Sequence, residues 1–402
     1  MSCSFADKKC APLRKLGRVV TGKTPSTDKD EYFGGGIPFI TPSDIDTYDK
    51  KHIVVTERTL SALGAKTING CKLPAKSVCF VCIGSTIGKM CMTRCPSYTN
   101  QQINSIIPND LVHPDYLFYL LRFIRGYFQS IGGGTGSGKG IVNKTIFSKT
   151  KIWIIKDKVQ QYRIASTLSA YDDLIENNNR RIKILEQMAE NLYKEWFVHF
   201  RFPGHEHTEF ENGIPKGWIL SSSQIPLSCP MNWKYGTLDE LGSFKRGKNI
   251  TAEDMVCGSI PVISAGIEPS GYHNESNVQG KSLTISSSGA NAGFLKYHLS
   301  DIWAADCSYC KDNGKIWFIY NALKFLQPVI SNLQIGAAQP HVYPKHINKL
   351  STIIPDDAII AKYCKIVGPF YNQIQSLSET NQNLIKQRDM LMPRLMSGKL
   401  KV

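Results

Sequence analysis

Halfway along the chain, and again at its end, apolar residues recur with helical spacing over about 40 positions each. From Asp157 to His199 neither proline nor glycine occurs. Core-type residues fall at Leu168, Tyr171, Ile175, Asn178, Ile182, Leu185, Ala189, Leu192 and Trp196. Their steps alternate three and four, which places one seam on one helix face. The second segment repeats this at Tyr363, Val367, Phe370, Ile374, Leu377, Asn381, Leu384, Arg388, Leu391 and Leu395. Gly368-Pro369 interrupts its first turns, where a kink is expected. Two such seams in one chain are expected to pair. Leu168, Ile175, Ile182, Leu185 and Leu192 then form the core of the pair with Val367, Ile374, Leu377, Leu384 and Leu391. A helix of this length spans about 60 Å, long enough to serve as a rigid spacer. Asn178 and Asn381 place a polar group in each seam. Two readings stand: such groups fix pairing at a cost in stability, or both face solvent at a helix edge.

The seams close the two copies of an internal repeat about half the chain long. Leu13-Arg14-Lys15-Leu16-Gly17, Thr21-Gly22-Lys23 and Ile37-Pro38-Phe39-Ile40 open the first half. Leu238-Asp239-Glu240-Leu241-Gly242, Arg246-Gly247-Lys248 and Ile260-Pro261-Val262-Ile263 open the second. A strand and turn follow in each, at Val81–Gly88 and Ile285–Gly293. A short helix comes next, Asp115–Ile124 and Trp317–Leu326, then a strand, Lys151–Ile155 and Ser351–Pro355. The expected division is a globular module over 1–155, a helix over 156–202, a Pro/Gly-rich linker over 203–230, a second module over 231–355 and a closing helix over 356–402. Within Ile219–Tyr235 the start of the second module stays open.

A net charge of +15 over 402 residues favours a polyanionic partner. Charges nearly balance within Asp157–His199, so the excess lies mostly on the modules, where a nucleic-acid surface needs it. No run of about 18 apolar residues marks a membrane span. The segment from Met1 to Lys9 lacks the apolar core of a signal peptide, so a cytoplasmic location is expected. The chain has 12 cysteines. Cys79-Phe80-Val81-Cys82 lies in an apolar run that reads as a strand, whose residues three apart face opposite ways. Neither this pair nor Cys307-Ser308-Tyr309-Cys310 is expected to hold a metal, since zinc needs four converging ligands. His205 and His207 read as solvated linker residues.

No catalytic set emerges. Gly133-Gly134-Thr135-Gly136-Ser137-Gly138-Lys139-Gly140 approaches the phosphate-loop pattern, but Gly140 stands where the magnesium-binding Ser or Thr belongs. A nucleotide-binding protein is therefore a weaker reading. An adenine methyltransferase needs a polar–Pro–Pro–aromatic loop, and the chain has no Pro-Pro. Asp172-Asp173 and Asp356-Asp357 read as helix acids rather than metal ligands. A coiled-coil adaptor that never touches DNA is the remaining alternative.

If the partner is DNA, phosphates are met by Lys, Arg and backbone amides, and base edges by Arg, Asn, Gln and Ser. Loop positions of this type are Lys23, Lys89, Arg94, Gln101, Gln102, Asn104, Lys139 and Lys144 in the first module. In the second they are Arg246, Lys248, Asn249, Ser287, Asn291, Lys296, Gln339 and His341. Each can also be an ordinary surface residue. Trp196, Phe197 and Phe200 are candidates for docking a partner protein, or else pack against their own modules.

Some phrases are specific. Leu185-Glu186-Gln187-Met188-Ala189-Glu190-Asn191-Leu192-Tyr193-Lys194-Glu195-Trp196-Phe197-Val198 runs into Phe200-Arg201-Phe202-Pro203-Gly204, then Gly213-Ile214-Pro215-Lys216-Gly217-Trp218. The chain closes on Gln387-Arg388-Asp389-Met390-Leu391-Met392-Pro393-Arg394-Leu395-Met396-Ser397-Gly398-Lys399-Leu400. With its two modules each followed by a long helix, the chain resembles the specificity subunits of type I restriction–modification systems. The resemblance implies an α+β protein: two α/β target recognition domains separated by a pair of long, antiparallel, coiled-coil-like helices in pseudo-twofold repeat. It implies a non-catalytic, sequence-specific DNA-binding subunit in phage defence, with each domain reading one half of a split target and the helices setting the gap. Its implied partners are double-stranded DNA, two methyltransferase subunits and a motor–nuclease restriction subunit. No cofactor is expected on this chain; S-adenosylmethionine belongs to the methyltransferase, which modifies adenine N6.

Overall fold

The computed structural model describes residues 8–45, 50–53, 55–133, 140–207, 209–211, 214–215, 219–220, 226–228, 233–332 and 341–402. The chain forms two compact units, Met1–Asn179 with Glu379–Val402, and Arg180–Ser378. This differs from the expected five-part division, because each long helix is shared between the units.

The first unit is closed by strand Lys8–Pro12, which pairs antiparallel with Lys151–Ile155. Its main sheet has four antiparallel strands in the order Gly17–Thr21, Ile103–Pro108, Val78–Val81, Met90–Met92. A three-stranded sheet sets Phe33–Ile40 antiparallel to Arg58–Leu60 and parallel to Tyr98–Thr99. All four residues of Val78–Val81 are buried. Val78 and Phe80 join one core with Leu117 and Phe118, while Cys79 and Val81 join another with Val20 and Ile40. A strand covered on both faces carries a continuous apolar run rather than alternation. Helix Pro114–Phe123 starts where Pro114 takes the first helical turn. It buries Tyr116 through Leu121.

The second unit repeats this plan and adds two short two-stranded ribbons, Phe210–Glu211 with Ile214–Pro215 and Ile219–Leu220 with Pro226–Ser228. Lys234–Thr237 pairs with Ser351–Ile354. The four-stranded sheet runs Lys245–Arg246, Cys307–Lys311, Ser282–Ser286, Leu295–His298. The three-stranded sheet sets Ile260–Ile263 antiparallel to Gly271–His273 and parallel to Trp303–Ala304. Helix Ile316–Phe325 matches Pro114–Phe123. Each Cys-x-x-Cys pair is split between two cores. Cys82 packs with Phe80, Cys79 with Val81, Cys307 with Ile263 and Cys310 with Ile319.

The two long helices are Lys158–Tyr193, extended by one wide turn at Lys194–Val198, and Asp357–Ser397. The latter runs through Gly368-Pro369 without a break. Inside each unit, part of one helix packs on part of the other. In the second unit Ile182, Leu185, Ala189 and Leu192 share a core with Tyr363, Val367 and Ile374. There the Tyr363 hydroxyl donates to the Ala189 carbonyl at 3.0 Å. In the first unit Leu168 shares a core with Leu391, Met392 and Leu395. Ile175 and Leu377 are buried, and Leu384 is half-buried.

Both seam asparagines are buried partners rather than solvent-facing residues. Asn178 Nδ2 donates to Asn381 Oδ1 at 2.9 Å, and Asn381 Nδ2 donates to Asn179 Oδ1 at 2.9 Å. About two turns along the helix from Asn381, Arg388 is 0% exposed, and its Nη1 donates to Asp172 Oδ1 at 2.5 Å. The Tyr119 hydroxyl donates to the other Asp172 oxygen. Burial works against the Arg388 charge, but Asp172 and Asp389 outweigh it and hold the guanidinium above its ordinary range. Asp172, read from sequence as a helix-face acid, is thus the counter-charge of a buried arginine.

Trp196, Phe197 and Phe200 are buried, and this corrects their reading as docking residues. The Phe197 ring lies 4.8 Å from Phe318, 5.3 Å from Tyr363 and 5.9 Å from Trp233. These aromatics anchor the end of the first long helix inside the second unit.

Candidate nucleic-acid interface

One end of each four-stranded sheet gathers most of the residues expected to meet DNA. In the first unit, strand Gly17–Thr21 leaves the sheet there, and Ile103–Pro108 begins there. The chain continues as Gly22, whose amide donates to Ile103, and Lys23, whose amide donates to Thr99. A side chain at Gly22 would collide with the carbonyls of Thr99 and Asn100, so the close approach requires glycine. Strand Val78–Val81 ends at the same edge in a turn, Gly84–Thr86, whose first residue has φ of 63°. Cys82 N donates to the Gln102 carbonyl at 2.9 Å, and Val142 N to the Cys82 carbonyl. Lys23, Lys89, Gln101 and Gln102 therefore surround one turn. Gln101 Oε1 accepts from the Thr24 hydroxyl. Lys144 is exposed nearby in sequence, at the start of a helix capped by Asn143.

The second unit builds the same end from different side chains. Gly247 N donates to Cys307 and Lys248 N to Ala304. A side chain at Gly247 would meet the carbonyls of Ala304 and Ala305. The turn is Gly289–Asn291, with Gly289 at φ of 72°. Ser287 N donates to the Asp306 carbonyl, and Val342 N to the Ser287 carbonyl. Asn291 belongs to this turn, His341 bridges the residue before it and Arg246 reaches it through Asp306, while Lys248 and Asn249 follow where the edge strand leaves the sheet. His341 bridges Ser288 and stacks on Tyr343. Lys296 lies one residue inside the edge, with Nζ donating to the Ile267 carbonyl at 3.0 Å.

Five expected residues need correction or lie elsewhere. Asn104 is buried: it accepts from the Thr21 hydroxyl at 2.6 Å and donates to the Val142 carbonyl at 3.2 Å. Ser287 is also buried, so its hydroxyl cannot reach a base. Arg94 sits at the opposite end of its sheet, donating twice to the Glu176 carboxylate. Lys139 and Gln339 lie outside the described residues, as does the phosphate-loop-like sequence apart from Gly133 and Gly140.

Asp306 was missed because only hydrogen-bond donors and amides were sought. It occupies the place of Gln102, as the shared amide bond to the turn shows. The thiols here are neutral: burial pushes Cys82 up to about 11 and Cys307 up to about 12. Among the described residues no group of three or more His, Cys, Asp or Glu forms a metal cluster, and no helix is long and apolar enough to cross a membrane.

Two matching sheet ends with divergent, mostly basic and amide-bearing side chains suit paired sequence readers. A sequence model described as the type I restriction modification DNA specificity domain matches twice, at residues 7–187 and 230–387. The chain belongs to this family. The two matches fall on the two copies of the repeat. The type I restriction enzyme MjaIX specificity subunit of Methanocaldococcus jannaschii is 29% identical over 421 residues, covering 97% of this chain and 93% of its own. The HindI specificity subunit of Haemophilus influenzae is 33% identical over 174 residues, 42% of this chain and 37% of its own. The crystal structure of a type I restriction–modification S subunit from M. genitalium shares the fold, with a TM-score of 0.64 at 17% identity, covering 97% of this chain and 96% of that one. As a specificity subunit the chain supplies sequence-specific DNA recognition, and methyl transfer resides in a separate subunit. Neither an adaptor indifferent to DNA nor a nucleotide-binding protein is favoured.

Proposed function

We propose that the two units read the two parts of a bipartite DNA target, each through the sheet end just described. One observation carries this reading. The same backbone frame recurs in both units, while its side chains differ: Thr21 against Arg246, Gln102 against Asp306, Ile141 against His341. A constant frame with exchanged chemistry is what reading two different sequences requires. The basic residues Lys23, Lys89, Lys144, Lys248 and Lys296 supply phosphate contacts, and Gln101, Gln102, Arg246, Asn249, Asn291 and His341 supply base contacts.

In this reading the subunit assembles with two methyltransferase subunits, which hold S-adenosylmethionine and modify adenine N6. A restriction subunit joins them. This chain itself binds no cofactor.

The test is reconstitution of the full chain with its methyltransferase subunit, followed by sequencing of methylated DNA. The expected result is a motif in two parts separated by unspecified bases. Exchanging the second unit for that of a relative should change one part only. A motif that is continuous, or that changes throughout, would remove the proposal. Lys248→Ala should lower the slope of log affinity against log salt by about 1, as for loss of one phosphate contact.

A further inference from the structure

Within the second sheet end, one acidic side chain stands among basic ones. Asp306 is a quarter exposed, close to where a phosphodiester backbone would run if the proposed interface is correct. A free carboxylate there would repel DNA. Asp306 is not free: one oxygen accepts from Arg246 Nη2 at 3.3 Å, and the other accepts from the Ser288 hydroxyl. Its main-chain carbonyl accepts from Ser287 N. The carboxylate is therefore tied to the turn on one side and to the guanidinium on the other.

Arg246 stands on the edge strand of its sheet, and its side chain is 48% exposed. The equivalent position in the first unit is Thr21, whose hydroxyl is turned inward to Asn104. Only the second unit thus presents a planar, five-donor group at this corner. Arginine with one nitrogen held by a carboxylate keeps its remaining donors in a fixed plane, the geometry that meets guanine O6 and N7 together. A lysine cannot replace that fork.

We infer that Arg246, oriented by Asp306 and Ser288, reads a guanine in the part of the target assigned to the second unit. Asp306 is a positioning residue: it acts through Arg246 rather than on the base. The inference rests on the proposed DNA-reading role of this sheet end and names the base class read there.

The experiment uses the full chain with its methyltransferase subunits, and duplexes randomised over the motif. Preferences at every position are measured for the wild type, Arg246→Ala, Arg246→Lys, Asp306→Ala and Asp306→Asn. In the wild type one position of the second part should select guanine. Arg246→Ala and Arg246→Lys should cut that preference about 5- to 150-fold, the worth of one bidentate contact. Asp306→Ala should relax the same position and no other. Asp306→Asn, which keeps an acceptor for Arg246, should relax it less. Preferences in the first part report that each variant is folded and assembled. If affinity falls evenly across all bases, Arg246 touches phosphate only and the inference fails while DNA reading stands. If relaxation appears at Arg246 variants but not at Asp306→Ala, the positioning role fails. If the wild-type complex selects no sequence, the proposed interface falls with it.

Discussion

Replacing Asp172 by alanine tests the buried polar layer between the long helices in the first unit. Arg388 is fully enclosed, and Asp172 is its shortest ionic contact. Removing that carboxylate takes from the buried guanidinium its shortest ionic contact and from the Tyr119 hydroxyl its acceptor. Breaking a buried pair from one side costs about 3–5 kcal/mol, because the remaining charge has no adequate solvation. At a urea dependence of roughly 3 kcal/mol per molar, the unfolding midpoint of this unit should fall by about 1–2 M. Replacing both members, Asp172→Leu with Arg388→Met, should recover most of the loss, since neither charge then needs solvating. The assay is urea unfolding of the full chain, followed by hydrogen exchange to assign the transition to the first unit. A shift under about 0.3 M for the single variant, well below what loss of one member of a buried pair costs, would refute the argument. A double variant as unstable as the single would show that the layer matters through packing rather than charge.

Other outcomes follow from the same contacts. His298 is held neutral down to about 3, by burial first and the Lys296 charge second, with the Thr284 hydroxyl 2.9 Å from Nε2. The unfolded chain takes up that proton below about pH 6.5, so this stability is complete above 6.5 and is lost as the pH falls. Between pH 7 and pH 5 the second unit should lose about 2 kcal/mol, and His298→Asn should abolish that dependence in melts at both pH values. Asn381→Leu removes the hydrogen bonds to Asn178 and Asn179 and should cost about 1–3 kcal/mol in thermal unfolding. A change below about 0.5 kcal/mol would mean these amides are replaceable by water, since a single net hydrogen bond is worth at least that. Phe197→Ala should destabilise the second unit by about 3–5 kcal/mol. Unchanged stability with weaker methyltransferase binding would restore its reading as a docking residue.

Much of this was legible before any coordinates. The duplicated phrases at Leu13–Gly17 and Leu238–Gly242, and the long seams, are local patterns; a helix or strand records them directly in residue spacing. The strand, turn and short helix of each module followed from the same periodicities. What spacing cannot report is which face meets which neighbour. Asn104 and Ser287 carry the right chemistry for a base edge, yet the sheet turns both inward. Arg94 has the right charge but leaves its sheet at the wrong end. Trp196 and Phe197 look like anchors for a partner because large aromatics serve that purpose, but burial depends on chain segments far away in sequence. Asp306 was overlooked because acidic side chains were not among the types expected to meet DNA; its contact with Arg246, 60 residues away in sequence, exists only in the fold.

The sequence alone determined that the chain is a duplicated protein of strands and short helices with two seamed helices and an excess of positive charge on its modules. Those properties reside in short-range patterning and composition, which need no partner to be expressed. Tertiary structure alone decided that Asp172 neutralises Arg388, that Asn178 meets Asn381, and that Arg246 is gripped by Asp306. Each of these pairs joins residues distant along the chain, and a hydrogen bond or ion pair exists only where folding brings both groups within about 3 Å of each other.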